Sequence, residues 1–217
     1  MNRTRTRGIK EGVARGRDTG HDAGVSDVPA ALSHMPFFCE ENVWLLAQRS
    51  DLFVGPTEVV VIFGVAGAEP RVACWYQRAG EPDEAVLWDY HVVLAERRPN
   101  EVVVWDLDTR LPLPCPALAW VALTFQDPGR VPLRFHPRFR VVASADYVRE
   151  LASDRSHMKD AKGRWRKPPP PWDPPTPGRT NLAAWFGASA EVPGVILDRS
   201  GLEARWTIGP AHRPGSA

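Results

Sequence analysis

Cys39 is the residue whose surroundings in this sequence best suit a nucleophile. It stands immediately before residues 40–42 (EEN), where the hydrophobic pattern predicts that a helix begins. A thiol at a helix N-terminus lies near unpaired backbone N–H groups and the positive end of the helix dipole, and both favour the thiolate. A cysteine that follows Phe37 and Phe38 is also typical of a buried structural thiol, so Cys39 alone leaves both interpretations open.

A histidine and an aspartate on neighbouring predicted strands offer a base and an acid that orients it. Strands 85–96 and 101–107 are separated by four residues, and a hairpin in which the numbers of facing residues add up to 197 sets His91 opposite Asp106. Directly opposed side chains have Cβ atoms about 4.5–5.5 Å apart, which suits an imidazole–carboxylate hydrogen bond. A register shifted by two residues pairs His91 with Asp108 instead.

Together, these residue types fit a cysteine hydrolase. An activated cysteine, a histidine base and a carboxylate that orients the histidine are the parts of an acyl-transfer site. Their order along the chain, Cys, His, Asp, is that of papain-like and transglutaminase-like enzymes. The alternatives are a strand histidine with a structural partner and an aspartate that caps backbone donors in the turn 106–109 (DLDT).

The elements that must position these residues follow from hydrophobic periodicity and turn signals. Short helices interleaved with strands after one N-terminal helix predict an α+β fold. Strand 71–77 is expected to form a hairpin with strand 58–66. The predicted helices are 40–50, 116–125, 144–151 with Ser144 as its cap, and 181–186, and the predicted strands are 58–66, 71–77, 85–96, 101–107, 139–143, 194–198 and 203–208.

The composition restricts the class of protein. With 217 residues, 43% of them hydrophobic, the chain can build a packed core, and its apolar stretch 59–68 falls short of the roughly 20 residues of a membrane helix. A net charge of +1 argues against a nucleic-acid binder. Three cysteines without paired spacing argue against a disulfide scaffold or a zinc site, so Cys74 and Cys115 are expected to be core or surface thiols. No apolar run follows the basic N-terminus, so we expect a cytoplasmic protein.

Two segments differ in composition from the rest. Residues 1–34 lack aromatic side chains and are rich in arginine, which predicts a disordered basic tail before a single catalytic domain over 35–217. Residues 168–177 (PPPPWDPPTP) predict a polyproline II segment. We expect a rigid strap across the domain, with Trp165 and Trp172 packed into it; the alternative is a ligand for an SH3- or WW-like partner.

Six segments resemble the protein N-terminal glutamine amidohydrolase family, in that family's order. They lie between residues 37 and about 171, and the last two are more specific than any single candidate residue. The resemblance implies that the family's catalytic triad falls on Cys39, His91 and Asp106. The segments are FCEENVW (38–44), WDYHVVL (88–94), WDLDTRLPLPC (105–115), RFRVV (138–142), ASDRSHMKD (152–160) and WRKPPPP (165–171).

The resemblance also implies a fold and an activity. The fold would be a papain/transglutaminase-like cysteine hydrolase, with the cysteine on an N-terminal helix and the histidine and aspartate on an antiparallel sheet. The enzyme would be a monomer that converts N-terminal glutamine of proteins or peptides to glutamate with release of ammonia, without a metal or cofactor. In eukaryotes this reaction feeds arginylation and N-degron degradation. The region beyond Gly178 and the basic tail match the family weakly.

The free α-ammonium of such a substrate needs a carboxylate or carbonyl partner. The candidates near the site are Glu40, Glu41, Asp89 and Asp154, which the sequence leaves unranked. His157 is expected either to contact substrate or to hold its own loop.

The same residues also fit two other functions. One is a broader cysteine peptidase or transglutaminase-like acyltransferase on the same triad, which would accept internal residues. The other is a non-catalytic adaptor that uses the proline-rich strap, in which case Cys39 would be unreactive.

Overall fold

The computed structural model describes residue 29 and residues 32–65, 71–126, 129 and 131–208. Most of the predicted basic tail therefore lies outside the described residues. Within the described part of the chain, no helix is long and apolar enough to cross a membrane.

The architecture is α+β, as predicted, and is centred on a six-stranded antiparallel sheet with strand order β6-β5-β4-β1-β7-β8. Strands β2 and β3 form a separate two-stranded sheet. The strands are β1 (Thr57–Gly64), β2 (Val72–Cys74), β3 (Val86–Trp88), β4 (Tyr90–Arg97), β5 (Val102–Trp105), β6 (Cys115–Pro116), β7 (Pro137–Ala143) and β8 (Val195–Leu197).

The large sheet is buried on both faces because helices cover each side. Alternate residues of β1 point to opposite faces, so Val60 and Ile62 belong to one apolar cluster while Val59 and Val61 belong to another. Helices α2 and α5 cover the first face, and α1, α3 and α4 cover the second. The helices are α1 (Cys39–Ala47), α2 (Ala117–Thr124), α3 (Ser144–Glu150), α4 (Leu182–Trp185) and α5 (Arg199–Trp206), with 3-10 turns at Ser50–Leu52, Leu133–Phe135 and Ser156–Met158.

The first four helices confirm the predicted ones, with ends that differ by up to three residues. The predicted cap of α3 is wrong. Ser144 is itself the first helical residue and Ala143 is the N-cap, and the buried Ser144 hydroxyl has no hydrogen-bond partner among the residues that the structure describes. A side chain can cap only when it precedes the first helical residue, since it must reach forward to the N–H groups of the first turn.

The strand predicted over 203–208 is also wrong, because α5 occupies that region. The carboxylate of its N-cap, Asp198, accepts a hydrogen bond of 2.8 Å from the Gly201 N–H. Leu202 and Trp206 are four residues apart and share the buried face that packs against α2. The capping aspartate and this spacing both indicate a helix, but the apolar residues of the segment led to the prediction of a strand.

The hairpin predicted between 58–66 and 71–77 does not form. Both edges of β1 are occupied, by β4 and by β7, so β2 pairs with β3 instead. The strand predicted over 85–96 is divided at Asp89, which separates β3 from β4.

The predicted register of the β4–β5 hairpin is wrong by two residues. Leu94 faces Trp105 and Glu96 faces Val103, so the numbers of facing residues add up to 199. The predicted register would have set Glu96 against the carboxylate of Glu101. Instead, the buried Glu96 carboxylate accepts a hydrogen bond of 3.2 Å from the Trp105 indole N–H. A shift of two residues keeps every side chain on its face, so the hydrophobic pattern could not distinguish the two registers.

One buried cation holds the segment that follows α4. The Arg140 guanidinium is 2% exposed, and burial lowers its pKa. This anchored segment begins beside Phe186, whose ring stacks on Tyr90 at 4.0 Å between centroids. The guanidinium donates hydrogen bonds to the backbone carbonyls of Trp185, Gly187, Ser189, Val192 and Pro193.

Replacing Arg140 should therefore destabilise the protein. We expect Arg140→Met to lower the free energy of unfolding by about 2–4 kcal/mol, since it removes five donated hydrogen bonds and leaves buried carbonyls unpaired. Chemical denaturation monitored by tryptophan fluorescence measures the change. Arg134→Met removes an exposed guanidinium that lies over the Phe135 ring and should cost about 1 kcal/mol or less. Equal effects of the two substitutions would contradict this role of Arg140.

Candidate active site

Cys39 lies where the N-terminus of α1 meets strand β4. It is the first residue of the helix and is 8% exposed. The chain reaches it through Phe37, whose positive φ of 72° turns the backbone into the helix. The Val92 backbone N–H donates a hydrogen bond to the Cys39 sulfur, and Val92 is the residue after His91. The helix start thus places the thiol against the backbone of the strand residue that follows His91.

His91 and Asp106 form a buried pair. His91 Nε2 lies 2.9 Å from Asp106 Oδ1, and both residues are 1% exposed. The predicted contact between them is confirmed, although the predicted register is not. Strand β5 ends at Trp105, opposite Leu94, and the chain then turns, so the Asp106 side chain reaches His91 from the turn rather than from a paired strand position.

Three further donors hold the Asp106 carboxylate. Its Oδ2 accepts hydrogen bonds from Trp120 Nε1 at 3.0 Å and from Gln77 Nε2 at 3.3 Å. Its Oδ1 accepts one from the Asp108 backbone N–H at 3.1 Å. Trp120 lies on α2 and Gln77 follows β2, so no local sequence pattern could have associated either of them with the aspartate.

The contact lowers the pKa of Asp106 and raises the pKa of His91. Burial alone would raise the pKa of Asp106, but the charge of His91 and hydrogen bonds from His91, Trp120 and Gln77 lower it below its ordinary value. Burial alone would lower the pKa of His91, but the charge and hydrogen bond of Asp106, with a smaller contribution from Asp108, raise it. Together these shifts favour an ionised aspartate beside a more basic histidine.

The sequence indicated that the start of α1 favours a thiolate at Cys39, but the surroundings of the sulfur act more strongly in the opposite direction. Burial raises the pKa of its thiol well above the ordinary value, and the charges of Glu40, Asp108 and Asp106 raise it further. The Val92 hydrogen bond acts in the opposite direction but is outweighed. Three carboxylates near the sulfur therefore overcome the favourable effect of the helix N-terminus.

Glu40 is the predicted acid that lies beside the thiol. It is fully buried, and the Cys39 thiol donates a hydrogen bond of 3.9 Å to Glu40 Oε2. His157 Nε2 lies 3.4 Å from Glu40 Oε1 and 3.5 Å from the Tyr90 hydroxyl. The Glu40 Oε1 atom accepts no hydrogen bond from the described residues. A buried carboxylate with spare acceptor capacity can bind a cationic group that enters the site.

The other three predicted acids are occupied or distant. Glu41 accepts two hydrogen bonds from the Arg155 guanidinium, at 2.8 and 2.7 Å. The side chain of Asp89 is 85% exposed and lies 3.7 Å from Arg71. Asp154 accepts a hydrogen bond from the Ser156 N–H in its own turn. Of the four candidates, the structure brings only Glu40 into contact with Cys39.

Sequence reasoning missed a second histidine–aspartate contact. His34 Nε2 lies 3.0 Å from Asp108 Oδ1, and the Asp108 N–H is the one that bonds to Asp106. His34 comes from the segment before α1, and no motif singled it out. It sets a partially exposed imidazole beside one of the carboxylates that act on the Cys39 thiol.

The proline-rich strap is anchored beside this site. Trp172 Nε1 donates a hydrogen bond of 3.0 Å to Glu41, and the Arg155 guanidinium donates to the carbonyls of Pro170 and Trp172. Trp172 thus packs as expected for the strap. Trp165 differs, because it is 40% exposed and lies under the Lys159 ammonium, 4.6 Å from the ring centroid.

A family comparison and a comparison with individual proteins lead to the same family. Residues 34–205 match the family described as N-terminal glutamine amidase. A protein N-terminal glutamine amidohydrolase of Arabidopsis thaliana is 36% identical over 172 residues, which cover 70% of this chain and 74% of that protein. Proteins of the same name from Bos taurus and Homo sapiens are 38% and 37% identical over 137 and 139 residues. These matches cover 61% and 62% of this chain, and 65% and 67% of the relatives.

The position of Glu40 predicts how the thiol responds to a substitution. Glu40→Gln removes the charge that contributes most, after burial, to the raised pKa of Cys39, so that pKa should fall. We expect alkylation of Cys39 by iodoacetamide near neutral pH to become about three- to tenfold faster, because the thiolate fraction increases. Peptide mass spectrometry measures the rate at Cys39 itself. Asp89→Asn, which alters an exposed carboxylate, should leave the rate unchanged, and a slower reaction in Glu40→Gln would contradict this assignment.

Proposed function

We propose, because this chain belongs to the N-terminal glutamine amidase family, that it hydrolyses the side-chain amide of an N-terminal glutamine. The products are an N-terminal glutamate and ammonia, and the substrates are proteins or peptides that begin with glutamine. The observation that carries the proposal is the position of the buried Cys39 thiol, which accepts a hydrogen bond from the Val92 backbone N–H. The residue before Val92 is His91, whose imidazole is held by Asp106. All three residues lie within the region that matches the family.

The first step is addition of the thiol to the carboxamide, which forms a tetrahedral intermediate. His91 accepts the thiol proton as the Cys39 sulfur attacks the carboxamide carbon, so the thiolate forms only as it reacts. This order suits a thiol whose pKa is raised in the free protein. The Cys39 backbone N–H belongs to the first turn of α1, where amides have no intrahelical acceptor, and we assign it as a donor to the oxyanion.

The second step releases ammonia and regenerates the thiol. The protonated His91 donates its proton to the departing nitrogen as the C–N bond breaks, which leaves a thioester on Cys39. His91 then accepts a proton from water as the water attacks the thioester carbonyl, and it returns that proton to the sulfur. The net reaction consumes one water and one carboxamide and yields one carboxylic acid and one ammonia.

Asp106 keeps His91 in the orientation and tautomer that these transfers require. Its ionised carboxylate stabilises the imidazolium that forms in each step. The hydrogen bonds from Trp120 and Gln77 keep this carboxylate charged and fixed, and the lowered pKa of Asp106 supports that role.

Glu40 is our candidate for the residue that binds the α-ammonium of the substrate. Its Oε1 has spare acceptor capacity and its Oε2 contacts the thiol, so a bound ammonium would lie close to the nucleophile. The positive charge would offset the Glu40 charge that raises the pKa of Cys39. Binding of the correct N-terminus would thereby make the thiol easier to deprotonate.

The fold type, oligomeric state and location of the protein are also part of the proposal. We propose a papain/transglutaminase-like cysteine hydrolase, supported by the cysteine at the start of a helix that packs on antiparallel strand β4. We propose that the domain from residue 35 onward acts as a monomer in the cytoplasm. The three cysteines are free thiols, which suits a reducing compartment.

Substitutions in the triad should lower the rate of ammonia release while the protein stays folded. Cys39→Ala should abolish ammonia release from glutamine-initiated peptides. Asp106→Asn should lower kcat by about 10⁴-fold, the cost of losing the orienting acid in a comparable triad. Asp108→Asn should lower kcat by a smaller factor, because the hydrogen bond to His91 comes from Asp106 and the Asp108 N–H bonds only to Asp106. Circular dichroism checks that each variant is folded. Near-full ammonia release by Cys39→Ala, or a larger loss in Asp108→Asn than in Asp106→Asn, would refute the assignment.

The enzyme should also require a free N-terminal glutamine. Acetylation removes the ammonium and should lower kcat/KM by at least 10²-fold, because Glu40 is left buried without its cationic partner. An N-terminal asparagine is one methylene shorter, and a misplacement of about 1 Å at the reacting carbon can cost about 10²-fold. Ammonia release from Gln-Gly, acetyl-Gln-Gly and Asn-Gly measures both effects. Similar rates for internal or acetylated glutamine would instead support the alternative, a broader transglutaminase-like acyltransferase or cysteine peptidase.

A further inference from the structure

Residues 156–167 form a compact hairpin, which we call the basic hairpin. The Arg166 N–H donates to the Met158 carbonyl and the Asp160 N–H donates to the Arg164 carbonyl, each at 2.9 Å. The Asp160 carboxylate accepts hydrogen bonds from backbone N–H groups across the tip, including that of Arg164 at 3.0 Å. The tip therefore has a defined conformation, so its side chains project from fixed positions.

The base of the basic hairpin is tied to the start of α1. Arg155, which precedes the hairpin, is 6% exposed and donates two hydrogen bonds to Glu41. The same guanidinium donates to the carbonyls of Pro170 and Trp172, which follow the hairpin. One buried ion pair thus fixes both ends of the hairpin to the helix that begins with Cys39.

Two side chains of the basic hairpin contact residues that flank Cys39. His157 Nε2 lies 3.4 Å from Glu40, and the Lys167 ammonium lies over the ring of Phe37, 4.1 Å from its centroid. The hairpin therefore rises directly beside the site of the thiol. A substrate chain that leaves Cys39 on the side of Phe37 and Glu40 would pass this hairpin.

The basic hairpin carries a strong local charge. Its twelve residues have a net charge of +4, compared with +1 for the whole chain. Asp160 pairs with Arg164, so the single carboxylate offsets one cation only. Trp165 adds an apolar surface that is 40% exposed. The cationic residues are Lys159, Lys162, Arg164, Arg166 and Lys167, of which the first four are exposed.

We propose that the basic hairpin binds acidic side chains in the substrate, a few residues after the N-terminal glutamine. The inference rests on the proposed function and adds a substrate preference to it. An extended peptide rises about 3.3 Å per residue, so its third to sixth residues lie roughly 7–17 Å beyond the glutamine. The cations of the hairpin run from Lys167, whose ammonium lies over the Phe37 ring next to the site, to Lys162 in the turn at the tip.

The effect should appear mainly in KM and should depend on salt. Each exposed charge pair contributes little, but several pairs on one peptide add up and also speed the encounter. We therefore expect kcat/KM for an acidic peptide to exceed that for a lysine-containing peptide of equal length by about tenfold at about 0.05 M salt, and by less than about twofold at about 0.5 M salt.

The test compares Gln-Gly-Asp-Glu-Asp-Gly, Gln-Gly-Lys-Lys-Lys-Gly and the dipeptide Gln-Gly. The dipeptide ends before the charged positions, so each variant is judged by the ratio of kcat/KM for the acidic peptide to that for Gln-Gly. Lys162→Glu combined with Arg166→Glu should lower this ratio about tenfold. The matched control, Arg97→Glu combined with Arg134→Glu, makes the same change in net charge at two exposed positions away from the hairpin and should keep the wild-type ratio.

A binding measurement separates this inference from the proposed function. Fluorescence anisotropy of labelled peptides on Cys39→Ser gives Kd values without turnover, and the acidic peptide should bind about tenfold more tightly than the lysine peptide. If no glutamine peptide releases ammonia, the proposed function fails, and the Kd values still decide the role of the hairpin. Equal Kd values would overturn the inference. So would a short single-stranded oligonucleotide that competes at Lys162 and Arg166 with higher affinity than the acidic peptide.

Discussion

The buried Asp106–His91 pair is the interaction on which the site depends. A carboxylate in this apolar core is tolerable only if every oxygen is paired, and its partners come from four different parts of the chain. His91 lies on β4, Trp120 on α2, Gln77 after β2, and the Asp108 N–H in the turn itself. The hydrogen bonds to this one carboxylate therefore hold the large sheet, a covering helix and the region after the small second sheet in fixed relative positions.

In the proposed mechanism, the surrounding carboxylates make the Cys39 thiol hard to ionise until a cation binds beside it. Burial and the carboxylates of Glu40, Asp108 and Asp106 all raise the pKa of Cys39, so the helix N-terminus does not by itself produce a thiolate. A site of this kind gains reactivity from a positively charged substrate and little from a neutral one. Recognition of a free N-terminus and activation of the thiol would then be one physical event, because both act through the charge of Glu40.

Local patterns predicted most elements but not how they pair. The β-branched run of β1 and the helix after Cys39 follow from composition and periodicity, whereas the β4–β5 register depends on where one side chain, Glu96, finds a partner. The His91–Asp106 contact was predicted from a wrong register and is present because the chain turns after Trp105. A period of two determines which face a residue occupies, not which residue it meets.

The contrast between Glu40 and Glu41 explains why the acids of the site could not be ranked from the sequence. The two residues are adjacent in one turn of α1, are both fully buried, and project about 100° apart. Glu41 meets Arg155, which is 114 residues away along the chain, and this pairing leaves it little capacity to bind substrate. Glu40 Oε2 contacts the Cys39 thiol, and its Oε1 lies 3.4 Å from His157 Nε2. The long-range ion pair thus ties Glu41 to the neighbouring hairpin, whereas Glu40 stays beside the Cys39 thiol.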